Sequence, residues 1–165
     1  MIRIVDREAV ELLWRFTDYS WRTYEAAIRP SGDEVLTRAA PGSGWPALRD
    51  ALVHICWAYV RWLTSPTETT STPPENVATW DELNDYRGRV RDHARRYFDS
   101  LSDEALTTPR EMMVDGRPLR YSPGEVLAST MLHERQHHGD LNTLLYQLGM
   151  EIPLVEFRFS LPDRG

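Results

Sequence analysis

The stretch MLHERQHHGDLNTLLYQLG, residues 131–149, holds three of the five histidines of this 165-residue chain. His133 and His137 stand one helical turn apart, and an i, i+4 pair can present two imidazole nitrogens to one ion. At about 100° per residue, Leu127, Thr130, Leu141, Leu144, Leu145 and Leu148, with Val126, define an inward stripe. His137 falls inside that stripe and His133 at its edge. A buried imidazole must find hydrogen-bond partners or lose its charge. Two of them on an apolar face therefore point to a bound metal, with a hydrogen-bonded core pair as the competing reading. His138 points away from His133, toward the surface or a helix-packing layer.

His54 lies at the edge of the apolar stripe of an earlier helix, with Asp50, Ala58 and Arg61 on the same side. Packed against His133 and His137, it would complete a three-histidine set with an open fourth position. That is the ligand set of catalytic rather than structural zinc. Neutral imidazole also suits nickel, iron and copper, so ligand type alone does not select the ion. A hydrogen-bonded boundary histidine is the competing reading for His54.

Other residues near this face carry two readings each. Glu134, about 100° around from His133, is a candidate general base or a member of an interhelical layer. Asp140, within about 20° of His133, could orient an imidazole or stand in solvent. Arg61 could hold an anionic substrate or make a surface salt bridge, and Asp50 could support the site from one turn before His54. Trp14, Trp21 and Trp57 fit either a pocket mouth or the core. Gly139 costs about 1 kcal/mol relative to Ala inside a helix, which suggests close approach of another backbone or a bound group, or simple helix crowding. His93 reads as a packing residue, and Cys56, about 200° around from His54, as a small buried thiol.

HERQH also matches H-E-x-x-H, the zincin signature, and Glu156 follows His137 after 18 intervening residues. The zincin reading fails on context. Glu156 sits beyond Pro153 in an extended tail, no sheet is evident, and the chain is short for such a catalytic domain.

The elements that must position these residues are four helices. The first runs from Asp6, a plausible N-cap, to Arg29, with Val10, Trp14, Thr17, Trp21, Tyr24 and Ile28 facing inward. Leu12, Phe16 and Tyr19 form an opposite stripe, to be covered by a partner chain or by a folded-back tail. The second runs from about Pro46 to Leu63, and the third from about Trp80 to Leu101. Between them, SPTETTSTPP at 65–74 reads as a long crossover. EMMVDGRPLRY, with Asp115-Gly116 between apolar runs, predicts a small hairpin-like turn. Ser122-Pro123-Gly124-Glu125 is a capping box that opens the last helix, which should end at Gly149. The tail from Pro153 should dock on the bundle or add an edge strand. The expected fold is all-α, one four-helix-bundle domain over 1–165.

Composition narrows the function. The 19 basic residues are all Arg against 25 acids, a net charge of −6 that disfavours a general grip on nucleic acid. With no Lys, Schiff-base chemistry is excluded. Uncharged runs are too short for a membrane helix. MIRIVDREAV lacks the apolar run of a secretory leader, and one Cys forms no internal disulfide. A cytoplasmic location is the expectation.

LRDALVHICWAYVRWL with its His54, followed by HERQHHGDLNTLLYQLG, resembles the DinB-like family over nearly the whole chain. The resemblance implies a four-helix bundle, often a homodimer, with a divalent metal on His54, His133 and His137, zinc or nickel foremost. It further implies a small-molecule substrate and chemistry like that of thiol-dependent transferases, with a low-molecular-weight thiol such as bacillithiol or mycothiol as cosubstrate. Members often carry Gly-Gln where this chain has Gly139-Asp140. Two function classes follow: a metal-dependent enzyme that activates a thiol or water (S-transferase-like or hydrolase), or a non-catalytic dimeric metal-binding stress-response protein.

Overall fold

Local chemistry sets the ends of the four long helices. The computed structural model describes residues 5–63, 76–114 and 117–161. Helix α1 (Arg7–Ile28) starts on Asp6, whose carboxylate accepts from the Ala9 amide. It ends in a 3-10 turn at Arg29–Ser31. The four residues of α2 (Glu34–Thr37) are too few to show a period, and the sequence pattern does not mark them. Then come α3 (Leu48–Leu63) and α4 (Trp80–Ser100), the latter opened by a capping box of Thr79 and Glu82. The predicted box of Ser122 and Glu125 opens α6 (Pro123–Gln147). Its far end is a Schellman motif: Gly149 takes φ 70°, the Met150 amide donates to Leu145 O at 2.9 Å and the Gly149 amide to Tyr146 O at 3.1 Å.

Between α4 and α6 lie α5 (Asp103–Thr107) and a hairpin of β1 (Arg110–Val114) and β2 (Arg117–Tyr121). The strands pair antiparallel, Arg110 opposite Tyr121 and Val114 opposite Arg117. The expected turn at Asp115-Gly116 and the expected crossover at 65–74 lie outside the described residues.

Side-chain pairs give the helix directions. Glu11 meets Arg95, Asp18 meets Arg87, and Arg29 meets Asp81, so α1 and α4 run antiparallel. Tyr59 meets Glu134 while His54 meets His137, so α3 and α6 are also antiparallel. Helices α1 and α6 run parallel: the backbone of Val5 approaches Gly124, and Tyr24 reaches Asn142. At Gly124 a Cβ would stand 3.0 Å from Val5 O and 3.1 Å from Leu106 O, which explains the glycine at the start of a packed helix. It follows that α3 and α4 are parallel neighbours in an all-α four-helix bundle.

Two apolar clusters fill this bundle. One gathers Trp21, Ile28, Leu52, Trp80, Leu83 and Leu144 at one end; the other gathers Val10, Trp14, Phe98, Leu106, Leu127 and Met131. A buried polar layer lies between them. Arg91 donates to the Tyr59 hydroxyl at 2.8 Å, and that hydroxyl donates to Glu134 Oε2 at 2.6 Å. Arg91 also donates to Asp18 at 3.1 Å and lies over the Trp14 ring at 3.6 Å. Thr17, Ser20 and His138 are buried polar side chains as well. Burial pushes the Glu134 carboxyl above its ordinary range, with Arg91 and Arg87 pulling it back.

This decides between the two readings of each of two residues. Glu134 is only 1% exposed and faces the core, so it is an interhelical polar link rather than a base beside His133. His138, also 1% exposed, belongs to the packing layer and not to the surface. The buried stripe of α6 therefore runs through Glu134 and His138, while His133 and His137 are half-buried at its side. Periodicity read from leucines alone places His137 too far inward.

The tail covers Phe16 of the second stripe of α1. Phe157 packs edge-on against Phe16 with ring centroids 5.2 Å apart, Val155 is buried, and Phe157–Ser160 forms a 3-10 turn rather than a strand. No helix among the described residues is long and apolar enough to cross a membrane.

Removing one member of a buried charged network strands the others. Glu134→Ala should cost about 3–5 kcal/mol of unfolding free energy, and Tyr59→Phe about 1–3 kcal/mol. Urea denaturation reads both, and an unaltered Glu134→Ala midpoint would remove the layer from the list of stabilising features.

Candidate metal centre

Residues 133–138 present two i, i+4 pairs offset by one position. Glu134 and His138 turn into the core; His133 and His137 turn, about 100° away, into the groove between α6 and α3. Antiparallel packing then brings His54 of α3 to the same point. Its ring centroid lies 5.3 Å from that of His133 and 4.7 Å from that of His137. One nitrogen from each of the three rings falls within 4.8 Å of the other two.

Hydrogen bonds orient this cluster. Asp140 Oδ2 lies 2.7 Å from His137 Nδ1. A carboxylate only accepts, so Nδ1 carries the proton and the Nε2 lone pair of His137 faces the cluster. Nε2 of His133 stands 3.1 Å from Nε2 of His137. Two nitrogens on one tetrahedral ion at 2.0–2.1 Å would be about 3.3 Å apart, so the spacing suits a shared ion. The donor set, three nitrogens with one side open, fits a divalent metal that accepts imidazole.

Electrostatics favour the neutral form of His54 and His133, the form that can bind a metal. Burial lowers the His54 pKa to about 4, helped by His137, His133 and the Arg61 guanidinium. Burial also lowers that of His133, again with His137 and Arg61 contributing. Asp140 is held below the ordinary carboxylate range, first by its bond from Trp45 and then by His137.

Trp45 is the functional residue that sequence reasoning misses. Its indole N–H donates to Asp140 Oδ2 at 2.9 Å, and its ring packs on His54 at 4.9 Å and on His137 at 5.5 Å between centroids. The loop before α3 fixes it. Gly42 takes φ 86°, the Ser43 hydroxyl donates to Ala40 O at 3.0 Å, and the Ala40 amide donates to Pro46 O at 3.1 Å. Its only signal in the sequence is a large aromatic inside a Gly-Ser-Gly-Trp-Pro turn.

The remaining candidates are distributed as follows. Asp140 joins the cluster, bridging His137 and Trp45. Arg61 lies over the Trp57 and Trp62 rings at 5.6 and 5.3 Å, and its charge reaches His54 and His133. Asp50 pairs with its neighbour Arg49 at 2.8 Å and is not brought to the histidines. Trp57 stands 6.1 Å from His54, whereas Trp14 and Trp21 belong to the seam of α1 and α4, under Arg91 and Arg87. His93 is exposed on α4. The Cys56 thiol is buried, and burial pushes its pKa up to about 12. Among the described residues, a Cβ at Gly139 would meet nothing within 4 Å.

A family model described as DinB superfamily matches residues 17–141, a span that contains His54, His133, His137 and Asp140. No curated protein matches the chain.

Carboxylates that orient a ligating imidazole typically support metal affinity by 10- to 100-fold. Asp140→Ala should weaken zinc binding by about that factor while retaining all three imidazoles. A competition titration against a chromophoric chelator reads it, and equal affinities would show that Asp140 orients nothing.

Proposed function

We propose, from the premise that this chain belongs to the DinB superfamily, that His54, His133 and His137 bind one divalent metal ion and that the open side of this site activates a thiol. The observation that carries the reading is the convergence of three ring nitrogens within 4.8 Å. An ion held there, zinc or nickel, lowers the pKa of a thiol or water on its open side into the neutral range.

The residues around the cluster favour a thiol over water. A free thiol titrates at about 8.5 and needs only a modest shift to become a nucleophile. Hydrolysis in such sites draws on a carboxylate base, and Glu134 is committed to Tyr59 in the core. Asp140 is the carboxylate that contacts the cluster among the described residues, and it is engaged by His137 and Trp45. We read the protein as a thiol-dependent transferase acting on a small molecule, with a low-molecular-weight thiol as cosubstrate. Arg61 beside the cluster supports an anionic group on one of the two.

Elemental analysis of protein purified without a histidine tag should find about one ion per chain. His137→Ala should lose it, along with the stability the ion confers by linkage. Equal metal content in parent and variant would overturn the site. Cobalt-loaded protein should gain a sulfur-to-cobalt charge-transfer band when a low-molecular-weight thiol is added. An unchanged spectrum would favour the second reading, a metal-binding protein without turnover.

We also propose a cytoplasmic homodimer. Leu132, Gly139 and Tyr146 recur every seven residues on the outer face of α6, so they fall within about 20° of one line. Leu132 and Tyr146 are 56% and 76% exposed. Sedimentation should give twice the chain mass, and Leu132→Glu with Tyr146→Glu the chain mass; a monomeric parent would end the proposal.

A further inference from the structure

A cavity of about 280 Å³ opens between the hairpin and the α3–α6 seam, lined by Trp62, Met112, Leu119, Val126, Ser129 and Thr130. Its walls are mainly apolar, and Trp62, Met112, Leu119 and Val126 are only half-buried there. Half-buried apolar side chains around a concavity leave surface that a ligand can still take from water. A dry cavity of about 150 Å³ accommodates benzene. This one has room for an aryl group with a substituent or a medium alkyl chain.

Its position ties it to the histidines. Ser129 precedes His133 by one turn and Val126 by two, about 6 and 10 Å along the helix axis, and Val126 lies within about 20° of His133 around it. On α3, Arg61 spans the interval, its guanidinium over both Trp57, beside His54, and Trp62, the cavity wall. Cavity and cluster thus lie along the same seam between antiparallel α3 and α6, one to two turns apart on α6.

We infer that this cavity is the substrate pocket of the histidine site and that the substrate is amphipathic, its apolar aryl or alkyl arm under the hairpin and its polar reacting end at His54, His133 and His137. The inference rests on the proposed metal site for the position of the reacting end, and on the cavity alone for the apolar arm. The hairpin is the specificity element, because Met112 and Leu119, opposite each other in the ladder, supply its share of the wall.

Hydroxamates test it, since they chelate metals through an invariant head and vary in the arm. Zinc-loaded full-length protein is titrated by calorimetry with acetohydroxamate and with octanohydroxamate. The longer compound, with four of its six additional carbons buried, should bind tighter by roughly a hundredfold, at about tenfold for every two methylenes buried. Ser129→Phe, at an exposed helix position, and Met112→Glu should each cut that advantage below about tenfold and leave acetohydroxamate affinity unchanged. Equal affinity of the two compounds, or an undiminished advantage in both variants, overturns the pocket. Failure of acetohydroxamate to bind would instead count against the open metal site. In that event 4-butylphenol, which does not chelate, reads the pocket alone: it should shift the Trp62 indole N–H resonance in the parent and not in Ser129→Phe, and no shift in the parent overturns the inference.

Discussion

The hydroxyl of Tyr59, which accepts from Arg91 and donates to Glu134, joins α3, α4 and α6 at one level of the bundle. Arg91 extends the link to α1 through Asp18 and the Trp14 carbonyl. Apolar packing tolerates small slides between helices; a buried chain of hydrogen bonds does not, because each slip leaves a polar group without a partner. The layer therefore fixes the register of α3 against α6. Five residues before Tyr59 stands His54, and one residue before Glu134 stands His133. The meeting of the histidines is thus a consequence of a polar contact inside the core, about one turn away.

The sequence HERQHH shows how one helix serves both faces. Consecutive residues differ by about 100°, so a motif and its copy shifted by one position address different surroundings. Glu134 and His138 meet the core, where burial lowers the His138 pKa to about 3 and keeps that ring uncharged. His133 and His137 meet the groove, where Trp45 and Asp140 contact His137. The literal H-E-x-x-H match misleads for this reason: in this helix the Glu serves packing, and only the two outer histidines share a site.

Much of the fold was legible because period and punctuation agree. All six residues of the inward stripe of α1 are buried, and the Ser122–Glu125 box forms both of its hydrogen bonds. The i, i+4 pair and a third histidine on α3 were legible as a constellation for the same reason. The direction of Glu134 was not, since a charged residue weighs outward in any hydropathy average and its partners Tyr59 and Arg91 are distant in sequence. Trp45 escaped because a loop has no period. Phe16 looked like a contact for either a partner or the tail, and periodicity carries no information about which surface covers a face.

The division of labour between core and groove bears on how the site can work. In a domain whose metal holds the fold together, the ligands are the core, and the ion cannot be exchanged or left open without unfolding. Here two apolar clusters and the polar layer complete the bundle with none of the three histidines at its centre. Trp45 and Asp140 pre-set the cluster from a loop and from the next helical turn. Ordering of the ligands is thereby charged to folding rather than to ion binding. One side of the cluster is left for a ligand, and along the same seam the hairpin roofs an apolar cavity. With the core filled by other side chains, the three histidines are left to the groove rather than spent on packing.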